Sequence, residues 1–115
     1  MNHHARTLGW RVGTAFAAAV AIAWATAAHV PAATPVAVGI KDFTYAPATV
    51  TVPVGATVKW TNHDEEPHTI TSATGAFSST GLSHEETFAR TFSARGTYQY
   101  FCALHPRMRA TVIVK

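Results

Sequence analysis

One cysteine, Cys102, is all that the 115 residues contain. A single thiol excludes a disulfide within the chain, whatever compartment the protein works in. It leaves an intermolecular bridge, an inert buried thiol or a thiol with a chemical task. Charge is scarce as well, since Asp, Glu, Lys and Arg make up 13% of the residues. The opening MNHHARTLGWR carries Arg6 and Arg11 and no acid, and VGTAFAAAVAIAWATAA, residues 12–28, has no charge at all. No two arginines are adjacent there, which argues against a twin-arginine export signal. Sustained helical periodicity is missing from everything that follows, which argues against a helical domain.

A positive start, an apolar middle and a small-residue exit describe a secretory signal peptide over residues 1–28, with Ala25-Thr26-Ala27 as its cleavage signal. A helix is expected for it. The alternative is a retained membrane anchor, but the apolar run is short for a span of about 20 residues and is rich in alanine. Residues 29–35, HVPAATP, read as a linker, and residues 36–115 as the working domain. Removing Arg6 and Arg11 from the nine basic residues leaves seven against six acids, a net charge near +1. No basic patch of nucleic-acid type remains. The expectation is a periplasmic monomer that touches the membrane only if the signal is kept as an anchor.

What is present is alternation of period two. VAVGIKDF puts Val36, Val38 and Ile40 on one face, ATVTVPVG does so for Val50, Val52 and Val54, and ATVKWTN for Ala56, Val58 and Trp60. HTITS, ETFARTFS, GTYQYFC and ATVIVK continue it, with Gly, Pro, Asn and Asp between. Seven or so short strands in such a length predict an all-β sandwich or barrel. Phe43, Val58, Trp60, Ile70, Phe77, Phe88, Phe92, Tyr98 and Val112 are the expected core. On the strand that opens at Gly96, Tyr98, Tyr100 and Cys102 share a face, while Gln99 and Phe101 point the other way. Cys102 is thus expected to point inward where that strand ends.

The only methionine after Met1 is Met108, so both sulfur types fall within YFCALHPRM. Cys102, His105 and Met108 stand three residues apart on a loop that the strand ATVIV soon ends. Thiolate, imidazole and thioether together suit copper, and two histidines, a cysteine and a weak axial methionine form the blue-copper set. The missing histidine has to come from a distant strand. His68, in EEPHTITS, is the best candidate, because a proline and a strand anchor its backbone on both sides. His63 is the fallback, and His84 and His29 read as solvated. Zinc is the second choice of metal, but structural zinc sites usually add further Cys or His, and a methionine adds little.

WTNHDEEPHTITS, followed by FSARGTYQYFCALHPRM and ATVIV, resembles the cupredoxins, and does so over residues 36–115. The Cys-x-x-His-x-x-Met spacing is that of the short-loop, amicyanin-like branch; plastocyanin-like members have longer gaps. The resemblance implies an eight-stranded Greek-key β-sandwich that holds one type 1 copper on His68, Cys102, His105 and Met108. It implies a single-electron carrier, not an enzyme, with transient partners such as a cytochrome c, a dehydrogenase or an oxidase. Ala103, Leu104 and Pro106 would form the electron-transfer surface around His105, with Phe101 as a second entry. Two departures matter. Thr69 stands where many members have an Asn that braces the cysteine loop, and Arg107 and Arg109 add positive charge beside it. The acids Asp64-Glu65-Glu66 either steer a basic partner or form a solvated turn. The alternative function is copper handling, as a chaperone or store, but such proteins often use methionine-rich sites.

Overall fold

The computed structural model describes Gly9, residues 12–24 and residues 33–115. The chain divides into Met1–Val30 and Pro31–Lys115. In the first unit the described residues carry neither helix nor strand, so the helix expected for the signal segment is not formed over residues 12–24. Isolated helices below about 12–15 residues are marginal in water. No helix among the described residues is long and apolar enough to cross a membrane. Arg6, Arg11, Ala25-Thr26-Ala27, His29 and most of the linker lie outside the described residues.

The second unit is all-β, as its alternation predicts. Its strands are β1 (Val36–Lys41), β2 (Thr44–Ala46), β3 (Thr49–Val52), β4 (Thr57–Asn62), β5 (Thr71–Ser72), β6 (Thr87–Thr91), β7 (Gly96–Phe101) and β8 (Arg109–Val114). They form two four-stranded sheets, in the orders β2-β1-β4-β6 and β3-β8-β7-β5. The chain passes back and forth between the layers, which makes the packing of the two sheets the whole of the core. β1 runs parallel to β4 and β3 parallel to β8, while the remaining pairs are antiparallel.

Period-two patterning decides what is buried. In β4, Val58, Trp60 and Asn62 point inward and are fully buried, with Lys59 exposed between them. In β8, Ala110, Val112 and Val114 do the same. Trp60 packs against Phe77, Phe88 and Tyr100, and its indole N–H donates to the Tyr100 hydroxyl at 3.1 Å. Burial of a large side chain stabilises by roughly 1.5–3 kcal/mol, so this cluster dominates the thin core. Val58, Ile70, Phe77, Phe92 and Val112 are buried as expected, and Phe88 and Tyr98 pack against the core while partly exposed.

Phe43 is a correction: it is 45% exposed and not in the core. It sits in the two-residue hairpin between β1 and β2, where Lys41 pairs with Thr44. Asp42 and Phe43 have φ of 51° and 58°, the left-handed combination that a tight hairpin requires and that Asn-Gly usually supplies. The alternation that places Val38 and Ile40 inward ends at this turn, so the Phe43 ring leaves the sandwich altogether.

Candidate metal centre

Two segments meet at the end of the sandwich where β7 stops. The first is residues 102–108. The His105 amide donates to the Cys102 carbonyl at 3.2 Å, the Met108 amide to the His105 carbonyl at 2.9 Å, and the Cys102 amide to the Met108 carbonyl at 3.1 Å. The loop is therefore two successive three-residue turns closed on themselves. Each turn brings the chain back to the same side, which is why a three-residue spacing can gather side chains that a strand would send to opposite faces. Cys102 is fully buried and Met108 nearly so, while His105 is half-buried.

The second segment is residues 62–69, which winds around the side chain of Asn62. Its amide nitrogen donates to the carbonyls of Glu66 and Leu82, both at 2.8 Å, and its oxygen accepts from the Asp64 amide at 2.9 Å. The His68 amide donates to the Leu82 carbonyl at 3.1 Å and the Leu82 amide donates back at 2.7 Å. His68 is thus pinned through its backbone and buried completely. Asp64 holds the far edge of its ring, with Oδ2 2.9 Å from Nε2.

His68, Cys102 and His105 converge, and one ligand atom from each lies within 4.8 Å of the others. His68 Nδ1 is 3.2 Å from His105 Nδ1 and 3.9 Å from Cys102 Sγ, and His105 Nδ1 is 3.6 Å from the same sulfur. Thr69 braces the thiol from behind. Its amide points at Cys102 Sγ at 3.3 Å, and its hydroxyl accepts from the Ala103 amide at 2.8 Å. A hydroxyl thus ties the cysteine loop to the neighbouring segment at the position where the sequence departs from the family pattern.

The other two described histidines face elsewhere. His63 pairs with Glu85 at 3.2 Å, and His84 lies 3.5 Å from both Glu65 and Glu85. His63, the fallback ligand, is therefore no part of the cluster. The acidic run also needs correcting. Glu65 is exposed, but the Asp64 side chain is only 10% exposed and fully engaged. Burial pushes the Asp64 carboxyl up, but the Phe43 and Asp42 amides and the bond to His68 outweigh it and hold the group below the usual carboxylate range. Phe43 stands over the site, its ring edge-on to both His68 and His105 with centroids 4.9 Å away. Asn62, Asp64 and Phe43 escaped sequence reasoning. An Asn and an Asp before Pro-His are a turn signal, but nothing in the spacing says which way the carboxylate turns.

Behind the cluster the tyrosines are locked. Tyr45 donates its hydroxyl proton to the Thr69 carbonyl and packs its ring on Tyr100. Burial, and then the Cys102 and Tyr100 charges, push the Tyr45 hydroxyl far above its ordinary value. Burial pushes Tyr100 up to about 12, partly offset by the bond from Trp60.

A family profile described as "Cupredoxin-like domain" matches residues 14–114. The chain belongs to the cupredoxin family. It is 39% identical over 94 residues to amicyanin of Paracoccus versutus, which covers 77% of this chain and 70% of that one. It is similar to a solved mutant amicyanin in its Cu(I) form, at 31% identity and a TM-score of 0.69, over 74% of this chain and 86% of the other. It also resembles a copper-containing nitrite reductase from Thermus scotoductus at 26% identity and a TM-score of 0.66, over 71% of this chain but 22% of that much longer one. The donor set fits the cupredoxin cofactor. One thiol and two imidazoles aimed at a common point, with a thioether at the end of the loop, are the soft and borderline donors that select copper. The protein is a copper protein of the blue, electron-transferring class.

Proposed function

We propose that this cupredoxin is an exported, periplasmic electron carrier whose copper is held by His68, Cys102 and His105, with Met108 as the weak axial ligand. The observation that carries this reading is the convergence of the three donor atoms within 4.8 Å, two of their residues buried and one open to the surface. Copper supplies the reversible Cu(II)/Cu(I) one-electron couple. The residues supply a fixed frame for it. Cys102 gives up its proton on binding, and the Thr69 amide directed at its sulfur favours the thiolate. His68 is held by its backbone and by Asp64, so its ring keeps one orientation. The closed turns of residues 102–108 keep His105 from following the change in charge.

His105 is the proposed exit for the electron. Ala103, Leu104 and Pro106 around it are exposed, and Leu104 is 54% exposed. They form an apolar rim for brief docking, on the scale of redox contacts that bury under about 1,200 Å². Phe101, half-buried beside Cys102, is the second entry. Partners are redox proteins such as a cytochrome c, a dehydrogenase or an oxidase, met by a monomer. The likeness to amicyanin supports reading the protein as a carrier in preference to an enzyme.

The test is the visible spectrum of the protein loaded with Cu(II). An intense thiolate-to-copper band, lost in Cys102→Ser and in His68→Ala, with reversible one-electron reduction, is the expected result. A pale spectrum with an alkylatable thiol overturns the ligand set. Copper that leaves for a chelator on reduction supports the copper-handling function instead.

A further inference from the structure

His68 has two ring nitrogens with different surroundings. Nδ1 faces Cys102 and His105, and Nε2 faces Asp64 Oδ2 at 2.9 Å. The same carboxylate also takes two backbone protons, from Asp42 on Oδ1 at 2.7 Å and from Phe43 on Oδ2 at 2.9 Å. These are the two left-handed residues of the β1–β2 hairpin. A phenylalanine in that region is strained by about 1–3 kcal/mol and persists only where its surroundings over-determine it. Asp64 supplies that constraint, because both amides of the turn end on its oxygens. One side chain therefore holds the buried imidazole from behind and seats the Phe43 ring against both imidazoles.

We propose that Asp64 is the positioning residue of the copper centre, its carboxylate fixing the tautomer of His68 and setting the potential of the metal bound there. The inference rests on the proposed ligand set. The physical reason is general. A ligand imidazole that donates its far N–H to a carboxylate is locked with its other lone pair toward the metal, and it becomes a stronger donor. A stronger donor and a nearby negative charge both favour the more highly charged metal state. Asp64 thus stabilises Cu(II) over Cu(I) and lowers the reduction potential. Two amide protons share the charge, so the influence is moderated but not cancelled. A neutral amide cannot replace it. In Asp64→Asn one oxygen becomes an NH2 group, which must meet at least one of the three N–H donors head-on.

The experiment has three parts. In the metal-free protein, 15N spectra of the imidazoles should show His68 protonated on Nε2, with a slowly exchanging proton; protonation on Nδ1 overturns the proposal. In the copper-loaded protein, Asp64→Asn should raise the Cu(I):Cu(II) ratio at a fixed applied potential about tenfold, which for one electron is about 59 mV. A ratio that moves less than twofold, with the blue band intact, overturns it. The third part separates the charge from the turn. Asp42→Asn with Phe43→Gly gives a hairpin that needs no carboxylate to hold it. In that background Asp64→Asn should fold and still shift the ratio; if the shift disappears, Asp64 acts only through the hairpin and the proposal fails. A wild-type protein without a blue band fails the ligand set itself, a result distinct from any of these.

Discussion

The two segments that build the centre are held by opposite means. Residues 102–108 close on themselves, through three backbone bonds that need no particular side chain. Residues 62–69 are held by side chains, those of Asn62, Asp64 and Tyr45, and by the bridge between His68 and Leu82. The consequences differ. A self-closed loop can vary its exposed residues without losing its shape, so it can serve as a docking surface. A side-chain-tethered segment has no such freedom, and it carries the fully buried histidine that is the proposed ligand. One side of the centre is thus built to be fixed and the other to be met.

The strongest way to break this contrast is at Asn62. Its removal leaves the Glu66 carbonyl and the Asp64 amide without their side-chain partner in a partly buried setting and weakens the hold on Leu82. Asn62→Ala is expected to cost about 2–4 kcal/mol, since each buried polar group left unpaired costs about 1–3 kcal/mol. Denaturant unfolding of the metal-free protein checks this. A cost under about 0.5 kcal/mol would show that the segment holds its own shape as the loop does.

The next largest effect is alkaline. Tyr45 ties the tethered segment to the sandwich at the Thr69 carbonyl, and Tyr100 packs behind it. Both hydroxyls have raised values in the folded protein, Tyr100 to about 12. The unfolded chain loses these protons near pH 10. Between there and pH 12 the native state holds more protons than the unfolded one, so stability falls as pH rises. Below pH 10 the two tyrosines contribute no slope. Absorbance of tyrosinate should therefore rise for Tyr45 and Tyr100 together with loss of structure. Ionisation of either in a native protein at pH 10 would contradict the locked arrangement.

The same contrast explains what could be read from the residues alone. The loop was legible because its information is local. Cys102 and His105, three residues apart on a loop followed at once by a strand, point to a cluster, and the structure brings them together with His68. The sandwich was legible for a similar reason, since alternation in β3, β4 and β8 marks the inward faces one by one. His68 was found through its strand and its proline, but its supports were not. Asn62 looks like any turn residue and Asp64 like one of three solvated acids, because their partners lie on the hairpin, at Leu82 and within their own folded segment. Phe43 was misplaced for the same reason. An aromatic after an alternating run reads as core, and only the hairpin geometry shows that the pattern has ended. The helix expected for the signal segment, residues 1–28, failed differently over its described residues 12–24, because apolar composition permits a helix without supplying the packing that stabilises it.

Thr69 joins the two segments, and so it sharpens the comparison at a smaller scale. Its hydroxyl accepts from the Ala103 amide, while its own amide serves the sulfur. Thr69→Val removes only the hydroxyl and is expected to cost about 1–2 kcal/mol, with Thr69→Ser close to wild type. The blue band should survive in both, because the amide is retained. If Thr69→Val unfolds no more readily than wild type, the loop needs no brace and its self-closure is complete.

Leu104 has the smallest expected effect on stability and the most telling one on function. More than half exposed, it makes no part of the core. Leu104→Ala should change unfolding by no more than about 0.5 kcal/mol and leave the potential where it was. The docking rim, however, would lose its largest apolar side chain next to His105. Electron exchange with a redox partner should then weaken through affinity, with the second-order rate falling while the limiting rate at saturating partner stays constant. A fall in the limiting rate instead would place Leu104 in the support of the ligand and not on its surface. The open side of the centre would then be as constrained as the closed one.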